Sequence, residues 1–363
     1  MKILFCGGGT AGHINPSLAL AEELKRNGEV AVFLSREGGS ENSLIEEEGY
    51  KLLTYRVAGL KKTPTGIIRA LYLAVRAESS AKKILKEEKP DIVFCTGGYV
   101  SYPVLKQAIK LKIPTALHES NIKKGLVTRL LSRKCDLVML PLGYTEKLSS
   151  NERLVGTPVK RRFSVLSRAQ ARRTLSLSDS DILVLSLGGS LGAKAINDAV
   201  INTAGKLIDK NHRLRWIHSA GSRYFEEIKA QNPELLRKKS FKILPYIKDM
   251  PTYLCAADLV ISRCGAVTLS EILEAKIPAV LIPSPNVADD HQRENASKLL
   301  PKGAAIVIDE SELSAENLYA VVGELIQKPD KRDGMKRAYK LEGQEAPREK
   351  ICSLLYGLLE RNR

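Results

Sequence analysis

The stretch ADLVISRCGAVTLSEILEAKIPAVLIPSPNVADDHQRENA, residues 257–296, decides how the rest of the chain is read. Its apolar run Leu259–Ser262 is too short for a helix and suits a buried strand. A turn of small residues at 264–266 follows, and Val267, Thr268, Ser270, Glu271 and Ile272 open a helix. Gly265 is expected to let the chain turn sharply, with Thr268 and Ser270 close to the free amides of the first turn. Such amides attract phosphate. One turn in, the Glu271 carboxylate can accept two hydrogen bonds from a ribose diol while the amides behind it hold a diphosphate. After a second apolar run at 279–282, the segment DDHQREN at 289–295 offers amides and a carboxylate to the hydroxyls of a sugar. A strand, a glycine and a helix recur in every doubly wound fold, and Glu271 alone also reads as a solvated or capping carboxylate. The two halves in series point to a nucleotide sugar.

A chain of 363 residues can bury two sizeable cores. Its six cysteines, Cys6, Cys95, Cys135, Cys255, Cys264 and Cys352, form no CxxC pair and mostly sit in or beside apolar runs. That suits buried thiols in a reducing cytoplasm and excludes a disulfide frame or a zinc site. No apolar run approaches the roughly 20 residues of a bilayer span, so a protein neither exported nor membrane-spanning is expected. Of the net charge of +16, residues 1–163 carry +11, from 27 basic and 16 acidic side chains. The excess suggests an anionic surface, lipid or polymer near the first half. Aromatic residues are few and no nucleic-acid motif is present, so nucleic acid is not the expected partner.

Lys2–Cys6 reads as a strand and GGGTAGH at 7–13 as a tight loop, with Asn15 as helix N-cap and Pro16 at the first helical position. Strands at 30–34 and 52–56, around a short helix closed by Gly49, complete a βαβαβ start. The loop lacks GxGxxG order, and Leu34 is followed by Ser35 and Arg36 instead of an acidic residue, so NAD is not expected. Residues 58–89 read as a loop and a long helix ended by Pro90, and strands at 92–95, 115–117 and 137–140 follow. Ligands of open parallel sheets sit at the carboxyl ends of strands. His13, Tyr99, His118, Glu119 and Asn121 are therefore expected on one rim, although loop polar groups commonly just satisfy backbone. After a linker at 156–162, the strand Ile182–Leu187, the loop GGSLGA at 188–193 and a helix from Lys194 repeat the opening pattern, which implies two similar halves with a cleft between them. Strands at 214–217, 242–244 and 305–308 and a last amphipathic helix at 347–359 complete the second half. Asp179-Ser180-Asp181 resembles a metal-binding DxD, but it precedes its strand and reads as a solvated turn.

In order, GGGTAGHINPSLALAEEL from Gly7, GGYVSYP from Gly97, HESN from His118, GTPVK from Gly156, GGSLGA from Gly188 and the 257–296 block resemble the MurG family. These are peripheral membrane N-acetylglucosaminyltransferases that turn lipid I into lipid II in peptidoglycan synthesis. The resemblance spans the whole chain and implies an α/β GT-B fold, two Rossmann-like doubly wound domains facing across a cleft. Residues 1–160 would form the acceptor and membrane-facing domain, 161–340 the UDP-sugar domain, and 341–363 a helix crossing back. It also implies UDP-N-acetylglucosamine as donor, lipid I as acceptor, inversion at the anomeric centre, no cofactor, and a place on the anionic inner face of the cytoplasmic membrane. Carried over by position, Ser190, Ile247, Ala266, Val267, Thr268, Glu271 and Gln292 would hold the donor, with Thr10, Ala11, Gly12 and Asn121 reaching it from the first domain. The chain departs from the family at Ala11, Tyr102, Ser120, Leu191 and Lys160, and Lys160 supplies a point charge where a bidentate arginine is expected.

Glycosyl transfer needs a base for the acceptor hydroxyl and an anion hole for the departing UDP. Helix amides near Thr268 and the Ser190 loop can meet the diphosphate without a metal, and His13 is the expected base with Glu119 second. His13 reads equally as a hydrogen-bonded loop residue. A GT-B-shaped UDP-N-acetylglucosamine epimerase would share the donor grip without a lipid acceptor, and a non-enzymatic basic scaffold rests on charge alone. Read as a helix from about Gly66, residues 61–86 place Arg69, Arg76 and Lys83 in one stripe beside Lys82 and Lys86, with Ile67, Ile68, Leu71, Tyr72 and Val75 adjoining. Residues 51–90 hold ten basic and three acidic side chains, so this face is expected to meet an anionic membrane. The alternative is that its apolar flank packs on the sheet.

Overall fold

Short apolar runs that are buried on both faces favour parallel strands covered by helices. The computed structural model, which describes residues 1–8, 11–57, 64–286, 290–339 and 345–362 (for 11 and 64–75 the backbone only), pairs them into two such sheets. The first contains β1 (Lys2–Cys6), β2 (Val30–Arg36), β3 (Lys51–Tyr55), β4 (Ile92–Cys95), β5 (Thr115–His118), β6 (Leu137–Leu140) and β7 (Glu152–Leu154), in the order β3-β2-β1-β4-β5-β6-β7. The second contains β8 (Ile182–Leu187), β9 (Leu214–Ser219), β10 (Phe241–Leu244), β11 (Leu259–Ser262), β12 (Ala279–Leu281) and β13 (Ala305–Val307), in the order β10-β9-β8-β11-β12-β13. All neighbours run parallel, with Cys6 opposite Cys95 and Ser262 opposite Leu187. The chain divides into one unit of Met1–Arg161 with Gln344–Arg363 and another of Arg162–Gly343.

Alternation along β1 sends Ile3 and Phe5 to one face and Leu4 and Cys6 to the other. On the first face lie Ile14, Leu18 and Leu24 of the helix Ala11–Arg26 and Ile351, Leu355 and Leu358 of the helix Pro347–Arg361. The last helix thus completes the core of the first unit. On the second face lie Val100 and Val104 of the helix Gly98–Lys110 and Ala77, Ala81 and Leu85 of the helix Pro64–Glu88. In the other unit, Val184, Leu259, Ile261 and Val280 pack with Ile196 and Val200 of the helix Lys194–Lys210 and Leu318 and Val322 of the helix Ala315–Gln327.

The first helix starts at Ala11, five residues before the expected Pro16, which lies inside it. Proline there forgoes a bond to the carbonyl four residues back, at Gly12, and that residue is exposed to water. The edge strand β7 has the sequence ERL, too polar and short to be read as a strand. β9 runs two residues past its expected end because His218 and Ser219 are buried. Trp216 Nε1 donates to Ser186 Oγ at 2.9 Å, and that oxygen lies 2.8 Å from His218 Nδ1, so a polar trio extends the apolar strand.

Burial holds the His218 imidazole down to about 4 and also lowers His118. In the unfolded chain a histidine titrates near 6.5. Between those values the unfolded chain binds more protons, so this stability is complete above about pH 6.5 and is lost as pH falls through the window. The His218 contribution at neutral pH is about 3 kcal/mol, gone by about pH 4. The melting temperature should therefore fall between pH 6.5 and 4.5, and the fall should be shallower in His218→Asn. Parallel profiles for the two proteins would contradict the assignment.

Candidate active site

Each sheet reverses its strand order once beside its first strand, between β1 and β4 and between β8 and β11. Loops leaving the carboxyl ends of such strand pairs diverge and leave room for a ligand. In the second unit these are the loops at 188–193 and 263–265. Gly192 takes φ +87°, and a Cβ there would stand 2.2 Å from the Ala220 carbonyl, so the first loop lies flat on its neighbour with Ser190 and Leu191 exposed.

The second loop leads into the helix Ala266–Ala275, whose N-cap is Gly265 and whose first turn has no side-chain cap among the described residues. The amides of that turn are available to an anion. Gly265 has φ −65°, so the turn itself does not require glycine, contrary to expectation. The nearest atom to a Cβ there is Thr268 Oγ1 at 3.9 Å, and what glycine leaves is open space before the helix. Ser270 also departs from its expected place beside the free amides. Its hydroxyl donates back to the Ala266 carbonyl at 2.9 Å and turns away from the free amides. Ile247, Ala266 and Val267 are buried, Thr268 and Glu271 half-buried. Burial raises the Tyr246 phenol, and the nearby Glu271 carboxylate adds to the effect.

Gln292 opens the helix His291–Leu299, and its Oε1 accepts from the Cys264 amide at 3.2 Å and the Ser284 amide at 2.9 Å. The oxygen ties two loops together, which leaves its NH2 group as the donor for a ligand. Of the carboxylates in the segment expected to meet sugar hydroxyls, Asp290 pairs with Arg293 at 3.3 Å and Glu294 with Lys298 at 3.2 Å, while Asp289 lies outside the described residues. A cavity of about 470 Å³ adjoins Ser284, Asp290, Arg293, Asp309 and Glu310.

In the first unit, Thr96 holds His13 twice. The Thr96 carbonyl lies 3.1 Å from His13 Nδ1, and the Thr96 hydroxyl donates to the His13 carbonyl at 2.5 Å. A carbonyl only accepts, so the contact selects the tautomer with the proton on Nδ1 and leaves the lone pair on Nε2. Two glycines make this arrangement possible. A Cβ on Gly7 would stand 2.1 Å from Thr96 Oγ1, and one on Gly98, at φ +75°, would stand 3.1 Å from the Gly8 carbonyl and 3.5 Å from His13 Nε2. Ala11 and Gly12 lie in the first turn of the same helix, and Thr10 falls outside the described residues.

The other expected rim residues separate. His118 is fully buried, 2.9 Å from the Gly156 carbonyl through Nε2, because it forms the last position of β5 instead of following it. The buried Glu119 carboxylate accepts from the Asn121 amide and side chain at 3.1 Å each, and from the Gly125 amide and Thr128 hydroxyl at 2.8 Å each. It holds its own loop, with Asn121 against it. Tyr99 is exposed on the helix Gly98–Lys110, and Lys160 pairs with Glu48 at 2.5 Å. The DSD turn is not fully solvated, since Asp181 is buried, pairs with Arg215 at 2.9 Å and accepts from the Ser178 amide at 2.7 Å.

The two sheets match two halves of one known enzyme class. Residues 3–140 match the glycosyltransferase family 28 N-terminal domain and residues 183–350 its C-terminal domain, so the architecture is that of a GT-B glycosyltransferase. The "UDP-N-acetylglucosamine–N-acetylmuramyl-(pentapeptide) pyrophosphoryl-undecaprenol N-acetylglucosamine transferase" of Halalkalibacterium halodurans is 35% identical over 98% of this chain and 99% of the relative. The protein of the same name from Caldanaerobacter subterraneus is 37% identical, again over 98% and 99%. The crystal structure of Acinetobacter baumannii MurG matches with a TM-score of 0.71 at 27% identity, covering 98% of this chain and 99% of that one. The chain belongs to this family of N-acetylglucosaminyltransferases.

Proposed function

We infer that the protein is an inverting glycosyltransferase that moves N-acetylglucosamine from UDP-N-acetylglucosamine to the muramyl sugar of undecaprenyl-pyrophosphoryl-MurNAc-pentapeptide, lipid I, giving lipid II in peptidoglycan synthesis. The observation that carries the donor half is the uncapped helix start at Gly265, with Glu271 one turn in, at the strand-order reversal of the second sheet. The amides at 266–268 take up the charge that grows on UDP as the anomeric bond breaks. Glu271 holds the ribose hydroxyls, and Gln292 donates to the sugar. Ser190 covers the phosphates from its exposed loop, and the buried Ile247, Ala266 and Val267 back the site. His13 Nε2 takes the proton of the acceptor hydroxyl as it attacks the face opposite the departing UDP. Glu119 acts one step back, since four hydrogen bonds already fix its carboxylate in the loop that presents Asn121. Release of UDP that depends on lipid I supports the transferase; turnover of UDP-N-acetylglucosamine without an acceptor would favour an epimerase.

The first unit takes the lipid acceptor and faces the membrane, as a peripheral protein on the inner leaflet. No helix among the described residues is long and apolar enough to cross a membrane. The helix Pro64–Glu88 buries Ala77, Ala81 and Leu85 and exposes Arg76, Lys82, Lys83 and Lys86; the side chain of Arg69 lies outside the described residues. A second exposed surface supports the reading. Leu126 and Leu130 are 57% and 55% exposed on the helix Leu126–Leu131, and residues 120–135 hold five basic and no acidic side chains. Basic side chains near an anionic leaflet contribute up to about 1 kcal/mol each, and less where already paired, as Lys83 is with Glu87 at 3.8 Å. Changing Arg69, Arg76 and Lys83 to Gln should weaken binding to anionic vesicles about tenfold, and salt should weaken the parent likewise. A triple variant that sediments with vesicles as the parent does at low salt would place the membrane face elsewhere.

A further inference from the structure

We propose that Arg263, clasped by Glu310, is a positioning residue that presets the diphosphate-binding helix start; this rests on the donor reading above. Arg263 is the first residue after β11, two before the N-cap. Its Nη1 donates to the Ile282 and Pro283 carbonyls, 3.3 Å each, and its Nη2 pairs with the Glu310 carboxylate. One guanidinium therefore joins the carboxyl ends of three adjacent strands, β11, β12 and β13. From the other side, Gln292 accepts from the Cys264 amide and Asn295 Nδ2 donates to the Cys264 carbonyl at 3.4 Å. Both backbone groups of the residue before the N-cap are held.

This bracing compensates for the open helix start. A capping side chain would fix the first turn but would occupy the amides that an anion needs. Bracing from behind fixes the same turn and leaves its front free. The Arg263 and Glu310 side chains are only 16% and 22% exposed, so their pairing is shielded more than a surface ion pair is. Arginine is required by geometry, since a planar fork reaches two carbonyls and a carboxylate together and an ammonium on a flexible stem does not. Amides already oriented bind a diphosphate without first paying to order the loop.

The test compares the parent with Arg263→Met, Arg263→Lys, Glu310→Gln and the Met–Gln double variant. For each, UDP affinity is measured by calorimetry, uridine affinity by competition, and kcat and donor KM with lipid I. Arg263→Met should raise the UDP Kd and donor KM about tenfold, lower kcat/KM by at least as much, and leave uridine affinity unchanged. Arg263→Lys should recover only part of the loss, and the double variant should be no worse than Arg263→Met, since the two side chains act as one clasp. Unchanged UDP affinity with a lower melting temperature would make Arg263 merely structural and overturn the proposal, as would equal weakening of UDP and uridine. A parent that binds neither would overturn the donor reading and this inference with it.

Discussion

His13→Ala is expected to lower kcat by about 10² to 10⁴, the usual contribution of a general base. The expectation rests on tautomer and placement together. The Thr96 carbonyl fixes the proton on Nδ1, and Gly98 keeps side-chain atoms away from Nε2. A base must lie within hydrogen-bond reach of the proton it removes, and a ring held from behind with its second nitrogen beside a glycine meets that need. Donor affinity should barely change, because none of the donor contacts assigned above is made by the His13 side chain. His13→Gln should be nearly as slow, since its amide can replace a hydrogen bond but cannot take a proton at neutral pH. A variant that keeps kcat and loses only acceptor affinity would move His13 to binding. Glu119 would then be tested next, despite the four hydrogen bonds that engage it.

Glu271→Ala should weaken UDP binding by about 1.5 to 3 kcal/mol, the range for hydrogen bonds to a charged group. The carboxylate stands one turn inside the helix Ala266–Ala275, half-buried beside Tyr246, where water competes less for it than at the surface. The loss should be larger for UDP than for 2′,3′-dideoxy-UDP, which lacks the diol. Calorimetry that finds unchanged UDP affinity in a folded Glu271→Ala protein would sink the assignment.

The fold was legible where physics is local. Runs such as Leu259–Ser262 and Ile182–Leu187 can only be buried strands, and glycines after β1, β4 and β8 mark the turns at their carboxyl ends. It was not legible where a distant partner decides. Nothing near Pro16 shows that the helix has already begun, because the contact that holds its first turn, the Thr96 hydroxyl on the His13 carbonyl, comes from 83 residues away. His118 and Glu119 look alike as polar residues after an apolar run, yet one ends the strand inside the core and the other ties its own loop. The donor motif at 265–271 was readable as a helix start with a carboxylate. The brace behind it was not, since Arg263 meets Glu310 across 47 positions and three strands. Thr96 had one signal, a hydroxyl at a strand end directly before two glycines, but its target was invisible in sequence.

Transfer of a sugar between a nucleotide donor and a lipid acceptor is read out by incubating the protein with labelled UDP-N-acetylglucosamine and lipid I. The expected result is one label per lipid I consumed, in a product with the anomeric configuration inverted, with equimolar release of UDP and almost no turnover in His13→Ala. Label that stays in the nucleotide sugar while lipid I remains unchanged would contradict it.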